Sequence, residues 1–395
     1  MEEYTRLAFS HIQHLAENIG GRGSCTAAEQ QAAEYAAQQL RKAGVHNVHL
    51  QPYSGAPSTY RPYALAFIIA LLGTLLVWLI PHRGIFSLAA VLNGLGAWGM
   101  LAESDLASNW MRRLLPKGKS QNAVGVIPPK GETRRRAVLS AHLDTHRTPV
   151  FYSSPTWHSL FSLLVGMAFA CMGIGVVVYA SGAIFTWFWV RWIGLIAAAV
   201  EIFALMMCLH GDFTLFSPGA NDNASGVGVV LALAARLQKE PLNQTEVWLA
   251  LTGCEEVGAY GYAAFLDSHA AELGKEAIHL ILDEVGLSQP KIITTDGLIR
   301  KHKTHPRALE LARRAAAALP DMKIIERVGP AYTDALIATQ RGLIALIICS
   351  DAISSNRGEV SHWHQLSDTL AHVNPQGIAN AHAFTWEILH QIDIS

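Results

Sequence analysis

Charged side chains are scarce in this sequence: Asp, Glu, Lys and Arg make up 15% of the 395 residues, against roughly 25% in an average soluble domain. The charges nearly cancel, with 30 basic against 31 acidic residues, so the basic excess that is typical of nucleic-acid-binding proteins is missing. We therefore exclude nucleic acid as a partner. The surplus of apolar residues predicts segments that are embedded in a membrane.

Cysteine is also rare, and the five cysteines are widely spaced and odd in number. This pattern argues against a cysteine-based metal site or a disulfide framework and favours free thiols. They are Cys25, Cys171, Cys208, Cys254 and Cys349. The N-terminal stretch "MEEYTRLAFSHIQHL" has acidic residues at its start and no apolar core, so we do not expect it to be a cleavable signal peptide.

The apolar residues are concentrated in four runs, which cover residues 63–80, 85–102, 159–180 and 184–209. A helix needs about 17 to 25 apolar residues to cross a bilayer, and each run is long enough. Buried helices of a soluble core are the alternative. They rarely stay uncharged for so long, and Trp and Tyr near several ends are typical of anchors at the membrane surface. The sequence therefore predicts a multi-pass integral membrane protein whose partner is the lipid bilayer.

Short links join the runs in pairs, "PHRG" between the first two and "SGA" between the last two. Each pair therefore predicts a transmembrane helical hairpin, at 63–102 and 159–209, that returns the chain to the side it left. Residues 1–62, 103–158 and 210–395 then share one side of the membrane and are predicted to form one domain.

The distribution of basic residues predicts which side that is. Two basic residues, Arg83 and Arg191, lie near the tips of the hairpins, and more lie near their bases: Arg61, Arg112, Arg113, Lys117, Lys119 and Arg147. By the positive-inside rule the domain outside the membrane is predicted to face the cytoplasm. Glu201 lies within the fourth run, where an ionisable group is either functional or packed against another helix, and we assign it no role.

Acidic and histidine residues recur where apolar strands stop. "AVLSAHLDT" predicts a strand that ends at His142 and Asp144, and alternation puts these two side chains on one face. "LALTGCEEVG" ends in Glu255 and Glu256, and "IHLILDEVG" ends in Asp283. Neighbouring carboxylates repel each other, so the glutamate pair needs a nearby positive charge.

Two further segments supply candidate residues. Asp222 in "GANDNASG" directly precedes a predicted helix from about residue 224, where it is either a helix cap or a ligand. "SHWHQLSDTL" supplies His362, His364 and Asp368. In an open α/β sheet, strand ends meet at the edge where ligand sites form, and histidines with several carboxylates suit a pair of divalent ions of the zinc type.

Near the N-terminus, "CTAAEQQAAEYAAQQLRKAG" predicts a helix with Thr26 as its N-cap, Glu29 as the partner in a capping box, and Gly44 as its end. Together with "AHLDT", "GANDNASG", "GCEEVGAYG", "LDEVG" and "HWHQLSDT", this segment resembles the di-zinc exopeptidase family (metallopeptidase family twenty-eight), which includes bacterial leucyl aminopeptidases, glutamate carboxypeptidase and glutaminyl cyclase. The resemblance covers nearly all of the chain outside the apolar runs. It implies an α/β fold with a mixed central sheet flanked by helices, into which the two transmembrane hairpins are inserted.

The resemblance also implies roles for individual residues. His142 and Asp283 would bind one zinc ion, Glu256 and His364 the other, and Asp222 would bridge the two. Glu255 would be the general base, and Asp144 would support His142 from behind. One departure is Trp363, which stands where some family members have a tyrosine; an indole donates a hydrogen bond but supplies no proton.

The implied activity is that of a membrane-anchored zinc-dependent aminopeptidase that hydrolyses short peptides. Two alternatives remain open: a zinc acyltransferase like glutaminyl cyclase, and a non-catalytic receptor or scaffold of the same fold.

Overall fold

The computed structural model describes residues 2–329, 331–350 and 362–395. Its α-helices, numbered in chain order, are α1 Glu2–Gln13, α2 Ala27–Lys42, α3 Tyr60–Leu79, α4 Arg83–Ser104, α5 Trp110–Leu114, α6 Pro155–Phe185, α7 Arg191–Phe213, α8 Gly226–Lys239, α9 Tyr260–Leu273, α10 Pro306–Ala318, α11 Asp334–Gln340 and α12 Pro375–Ile394. Its strands are β1 His46–Gly55, β2 Gly118–Ile127, β3 Arg135–His142, β4 Thr245–Thr252, β5 Ile278–Leu282, β6 Lys291–Asp296, β7 His302–Lys303, β8 Ile325–Val328 and β9 Ile344–Cys349.

The chain forms two compact units. The first comprises Met1–Pro57, Lys117–Arg147 and Leu215–Ser395, and the second comprises Ser58–Pro116 and Thr148–Thr214. The first unit is built on one mixed sheet with the strand order β1-β2-β4-β3-β5-β9-β6-β7, in which β8 pairs with β6. The α/β fold with a mixed central sheet, predicted from the motifs, is confirmed.

The centre of the sheet is parallel. Strands β4, β3, β5 and β9 run in the same direction, and nearly all of their residues are buried. Such uninterrupted apolar runs are typical of strands that are covered by helices on both faces. The carboxyl ends of these strands therefore meet at one edge of the sheet.

Helices cover the sheet through regularly spaced apolar stripes. In α10 the buried residues Ala308, Leu311, Ala312 and Ala315 recur at helical spacing. Helix α2 begins at the predicted N-cap, because the Thr26 side chain accepts a hydrogen bond from the Glu29 amide. The capping-box prediction for Glu29 is wrong: its carboxylate binds the amides of Cys25 and Cys254 instead, while the Thr26 amide donates to the carbonyl of Gly23.

Each segment of the second unit leaves the first unit next to a pair of bridged residues. Gly55 at the end of β1 pairs with Gly118 at the start of β2, on either side of 58–116. Arg147 pairs with Phe216 in an isolated antiparallel bridge, on either side of 148–214. Both insertions are therefore closed at their base within the first unit.

The second unit contains four helices that are long and apolar enough to cross a membrane. Small residues lie where these helices cross: a Cβ on Gly73 would lie 3.1 Å from the Cα atom of Ala89, and one on Gly175 would lie 2.3 Å from Oδ1 of Asn93. Close crossings at glycine are typical of helices packed in membranes. The outward surface is apolar, as the 72% exposure of Ile196 illustrates.

The predicted start of the fourth run is wrong. Residues 181–183, expected to form a link, continue α6, which ends at Phe185. A Cβ on Gly182 would lie 2.3 Å from the Phe86 ring, so this small residue serves close packing and not a turn. The chain turns at Thr186, whose φ is 58°. Farther along α7, Glu201 is 1% exposed, and neither of its carboxylate oxygens has a hydrogen-bond partner among the described residues.

Candidate metal centre

The predicted site residues gather at the carboxyl edge of the central strands. His142 is the last residue of β3, Asp283 directly follows β5, and Glu255 and Glu256 follow β4 after a short turn. Asp222 lies in the loop that leads into α8. The sheet order β4-β3-β5 explains why residues from distant parts of the sequence lie side by side.

One half of the site contains His142, Asp222 and Asp283. The Nε2 atom of His142 lies 3.2 Å from Oδ1 of Asp222 and 3.3 Å from Oδ1 of Asp283. One ligand atom from each residue can be chosen so that all three lie within 4.8 Å of one another. This half can surround one cation.

The other half contains His364 and Glu256. The Nε2 atom of His364 lies 3.3 Å from Oδ2 of Asp222 and 3.3 Å from Oε2 of Glu256. Asp222 therefore points one carboxylate oxygen at each half. The two oxygens of this one carboxylate therefore each contact a different histidine.

Asp144 fixes the glutamate pair. Its Oδ1 and Oδ2 atoms accept hydrogen bonds from the amides of Glu255 at 3.0 Å and Glu256 at 3.2 Å, and Ser24 donates a third at 2.6 Å. The contact with His142 is less direct, because Nδ1 of His142 lies 3.1 Å from the Asp144 carbonyl but 3.7 Å from the carboxylate. Asp144 thus lies next to His142 and holds the backbone amides of both glutamates.

The glutamate turn is made by a residue that sequence reasoning did not single out. Both glutamates can face the site only if the chain turns before them, since adjacent residues of a strand point to opposite sides. Cys254 provides this turn with a φ of 52°, in the left-handed region. Gly258, at a φ of 121°, then lets the chain enter α9.

Asp222 is held by Asp368 and Arg22. Asp368 accepts hydrogen bonds from the amides of Asn221 at 2.8 Å and Asp222 at 3.0 Å. The fully buried Arg22 donates to the carbonyls of Leu143, in the loop after His142, and of Gly219, in the loop before Asp222. Arg22 was not predicted, because an arginine in a glycine-rich loop carries no sign of burial.

A second residue absent from the predicted set is His146. Its ring stacks on His364 with centroids 3.7 Å apart, and its Nδ1 atom lies 2.7 Å from the carbonyl of Arg147. The rings are only 12° from parallel, and imidazole lone pairs lie in the ring plane, so one ion cannot lie in both planes. We assign ligand geometry to His364, which also contacts two carboxylates, and a packing role to His146. The spacing His-x-Asp-x-His in "HLDTH" was the available signal.

The electrostatics of the site reflect an excess of negative charge. Burial raises the pKa of Glu256 to about 7, and the neighbouring Asp222 adds to this shift. Burial likewise raises the pKa of Glu255 well above its ordinary value. For His364, burial favours the neutral ring, but Glu256 and Asp222 outweigh it and raise the pKa to about 9. The carboxylates thus favour a nearby positive charge.

The residues fit a divalent metal ion. Buried polar atoms are normally hydrogen-bonded, yet Oε1 of Glu255 and Oε1 of Glu256 are buried without a hydrogen-bond partner among the described residues. Nitrogen and oxygen donors without thiolates match the preference of zinc in catalytic sites. The charge and the donor set therefore agree with the chemistry expected from the sequence.

The sheet and this cluster place the chain in the zinc exopeptidase-like class of α/β proteins. Residues 197–389, just under half of the chain, match the model of peptidase family M28. The family recognised from the sequence motifs is confirmed.

Three proteins illustrate the similarity. The chain is 39% identical to aminopeptidase YwaD of Bacillus subtilis (strain 168) over 83 residues, which are 21% of this chain and 18% of that protein. The fold is similar to that of BSAP, a zinc aminopeptidase from Bacillus subtilis, with a TM-score of 0.58 at 15% identity, covering 98% of this chain and 94% of that chain. It is also similar to Bacteroides thetaiotaomicron glutaminyl cyclase bound to N-acetylhistamine, with a TM-score of 0.57 at 14% identity, covering 98% and 97%. The match to aminopeptidase YwaD thus spans about a fifth of the length of that protein. The similarity to the two solved structures concerns the fold alone.

Proposed function

We propose that this protein is a membrane-anchored, zinc-dependent exopeptidase, specifically an aminopeptidase that trims short peptides. The observation that carries the proposal is the position of Asp222, whose two oxygens face His142 and His364 at 3.2 and 3.3 Å. The match to a peptidase family and the similarity to proteins named as aminopeptidases favour the same conclusion.

Two zinc ions fit the cluster. His142 and Asp283 would hold one ion, Glu256 and His364 the other, and Asp222 would bridge them. When bound, such ions polarise the scissile carbonyl and lower the pKa of water. Because histidine binds metal in its neutral form, metal uptake would release the protons that the carboxylates now favour on His142 and His364.

Glu255 is the proposed general base. It would accept a proton from the attacking water and pass it to the departing amine of the peptide. Its Oε1 atom is buried and has no hydrogen-bond partner among the described residues, and the bond from its amide to Asp144 fixes its backbone. Glu256 and Glu255 would thus divide metal binding and proton transfer between them.

The four apolar helices are the proposed membrane anchor. Their length and hydropathy meet the requirement for spanning, and their outward residues are apolar. Two hairpins would hold the peptidase unit at the bilayer surface, where peptides released near the membrane are within reach.

The test uses full-length protein in detergent, loaded with zinc and dialysed. Glu255→Gln should retain zinc while peptide turnover falls by roughly 10² to 10⁴-fold, since an amide cannot accept the proton. Glu256→Gln should lose zinc from one site. Elemental analysis and turnover of both variants decide the assignment, which is reversed if Glu255→Gln loses metal and Glu256→Gln keeps it. Mass spectrometry of a digested peptide library shows which end is trimmed.

The second candidate is a glutaminyl cyclase-like zinc acyltransferase, which the comparable fold similarity to such an enzyme favours. The full set of histidines and carboxylates in both halves of the site argues for two ions. One tightly bound zinc per chain, with cyclisation of N-terminal glutamine and no peptide trimming, would establish the second candidate. A folded protein that binds no zinc would indicate a receptor or scaffold.

A further inference from the structure

Two cysteine thiols lie in contact behind the glutamate turn. The Sγ atoms of Cys25 and Cys254 are 3.5 Å apart, although 229 positions separate the two residues in the sequence. Cys25 directly precedes the N-cap of α2, and Cys254 directly precedes Glu255. A disulfide has sulfur atoms about 2.05 Å apart, so a displacement of about 1.5 Å would join them.

One buried carboxylate holds the backbones of both cysteines. The Glu29 side chain accepts hydrogen bonds from the Cys25 amide and the Cys254 amide, each at 2.8 Å, and from the Ser120 hydroxyl at 2.9 Å. Glu29 is fully buried. Because the two segments are tied to the same group, the thiols stay close, and little conformational entropy is lost when they join.

A pair of facing glycines makes room for the sulfur atoms. Gly55 and Gly118 are register partners in β1 and β2. A Cβ on Gly55 would lie 2.5 Å from Sγ of Cys254 and 3.3 Å from Sγ of Cys25, and one on Gly118 would lie 2.8 Å from Sγ of Cys25. Neither glycine has a positive φ, so what glycine provides at these positions is space for the thiols.

We propose that Cys25 and Cys254 are an oxidisable dithiol, a modification site that closes to a disulfide in the presence of hydrogen peroxide. The thiol of Cys25 is the entry point, because Cys25 is partly exposed whereas Cys254 is buried. Its sulfur attacks one peroxide oxygen, the O–O bond breaks, and water leaves after protonation, which yields a sulfenic acid. The Cys254 sulfur then attacks the Cys25 sulfur and displaces hydroxide, which leaves as water with the Cys254 proton. Two thiols are oxidised and one peroxide is reduced to two waters.

Closure would reach the metal centre through the chain itself, and this part rests on the proposed function. Cys254 is bonded to Glu255, whose amide is held by Asp144 at 3.0 Å. Movement of Cys254 toward Cys25 would displace the backbone that leads into Glu255. A misplacement of about 1 Å at a catalytic group lowers turnover by about 10²-fold, so the oxidised protein should be nearly inactive.

The test treats full-length protein in detergent with hydrogen peroxide and maps thiols by non-reducing proteolysis and mass spectrometry. The expected product is a cross-linked pair of peptides that contain Cys25 and Cys254, while the other three cysteines are recovered as free thiols. Sulfenic acid or free thiol at Cys25 without the cross-link would overturn the proposal. This readout requires no peptidase activity, so it stands even if the proposed function fails.

Two variants link the modification to its structural cause. Gly55→Ala places a methyl group against both sulfur atoms and should lower the yield of the cross-link several-fold. Cys25→Ser should keep basal turnover and lose its sensitivity to peroxide, and dithiothreitol should restore the oxidised wild type. If the cross-link forms and turnover stays within two-fold of the reduced protein, the coupling to the metal centre is rejected.

Discussion

Asp222 connects the two halves of the site through its two carboxylate oxygens. Asp222→Asn should therefore weaken metal binding in both halves, because the amide offers one oxygen in place of two. Asp144→Asn is the matched variant, since Asp144 supports the site through the Glu255 and Glu256 amides and does not face the opposite half. Loss of such a supporting contact typically costs 10 to 100-fold in metal affinity.

Zinc content after dialysis, measured by elemental analysis, distinguishes the two variants. We expect Asp222→Asn to lose more metal than Asp144→Asn at every free zinc concentration. Equal loss in the two variants would mean that Asp222 is a helix cap and not a bridge.

His382 in α12 is a buried residue whose ring nitrogens have no hydrogen-bond partner among the described residues. Burial and the charge of Arg236 lower its pKa from 6.5 to about 3. The unfolded chain thus takes up a proton near pH 6.5 and the folded chain near pH 3. The contribution of the neutral His382 ring to the free energy of unfolding is fully present above pH 6.5 and is lost as the pH falls toward 3.

His382→Phe should keep the stacking on Tyr4 and remove both the unpaired nitrogens and this pH dependence. We expect the melting temperature to rise, and to rise more near pH 5 than near pH 7.5. His279→Phe is the control, because Nδ1 of His279 lies 2.7 Å from the Tyr262 hydroxyl. Loss of that hydrogen bond should lower the melting temperature of the control near pH 7.5. A His382→Phe protein with a lower melting temperature than the wild type at both pH values would contradict the prediction.

At this scale the sequence indicated which residues gather at the sheet edge better than it indicated their supporting contacts. His142, Asp283, Glu256 and Asp222 stand next to strand or helix ends, and that position signals a site at a sheet edge. His364 lies in a turn away from such an end and was predicted from the resemblance of "HWHQLSDT". Arg22 acts through backbone carbonyls, which depend on the three-dimensional arrangement and leave no spacing pattern, and the spacing of His146 from His142 does not show that its ring stacks on His364. The binding of Glu29 to two cysteine amides could not be predicted for the same reason.

Among the elements, α12 is anchored to the sheet through Asp393 in its last turn. The carboxylate accepts hydrogen bonds from the amides of Asn243 and Gln244, each at 2.8 Å, and from the Thr245 hydroxyl at 2.8 Å. Burial favours the neutral acid, but these hydrogen bonds outweigh it and hold the pKa of Asp393 below its ordinary value. Its contribution to stability is present above about pH 4 and is lost as the pH falls through the lowered pKa.

Asp393→Ala should lower the free energy of unfolding by about 2 kcal/mol, the scale of hydrogen bonds to a charged group. Thermal melts of the detergent-solubilised protein measure the change. Glu387→Ala on the same helix is the control, because its carboxylate accepts one side-chain hydrogen bond from Gln391 and should matter little. Equal decreases in melting temperature for the two variants would exclude the proposed role of Asp393 in holding α12 to the sheet.

The elements of the sheet were predictable from apolar runs that stop at polar residues, whereas the link between the last two apolar helices was not. Glycine and serine at 181–182 indicate a turn when the sequence is considered locally. In the structure they lie inside α6, because a small residue is needed where Gly182 meets Phe86. A glycine within an apolar helix therefore signals a turn or a close crossing, and only the packing distinguishes them.

For the whole molecule, the distribution of basic residues predicts that the peptidase unit faces the cytoplasm. In the sequence, Arg83 and Arg191 stand near the links within the two pairs of apolar helices, and the other basic residues near these helices stand beyond their outer ends. Basic residues near the ends of spans are retained on the cytoplasmic side. A reporter that functions only in the cytoplasm should then be active when it is fused to Ser395, and a reporter that functions only outside the cytoplasm should be inactive. Activity of a reporter that matures outside the cytoplasm would reverse the orientation.

The paired residues at the base of each insertion have a consequence for protein engineering. Gly55 with Gly118, and Arg147 with Phe216, are bridged within the peptidase unit, so the sheet does not need the intervening segments to bring its strands together. Residues 56–117 can be replaced by an Asn-Gly turn, and residues 148–215 by a short glycine-serine linker. The shortened chain should fold without the two insertions. We expect it to purify without detergent and to bind zinc as the full chain does, which size-exclusion chromatography and elemental analysis would measure.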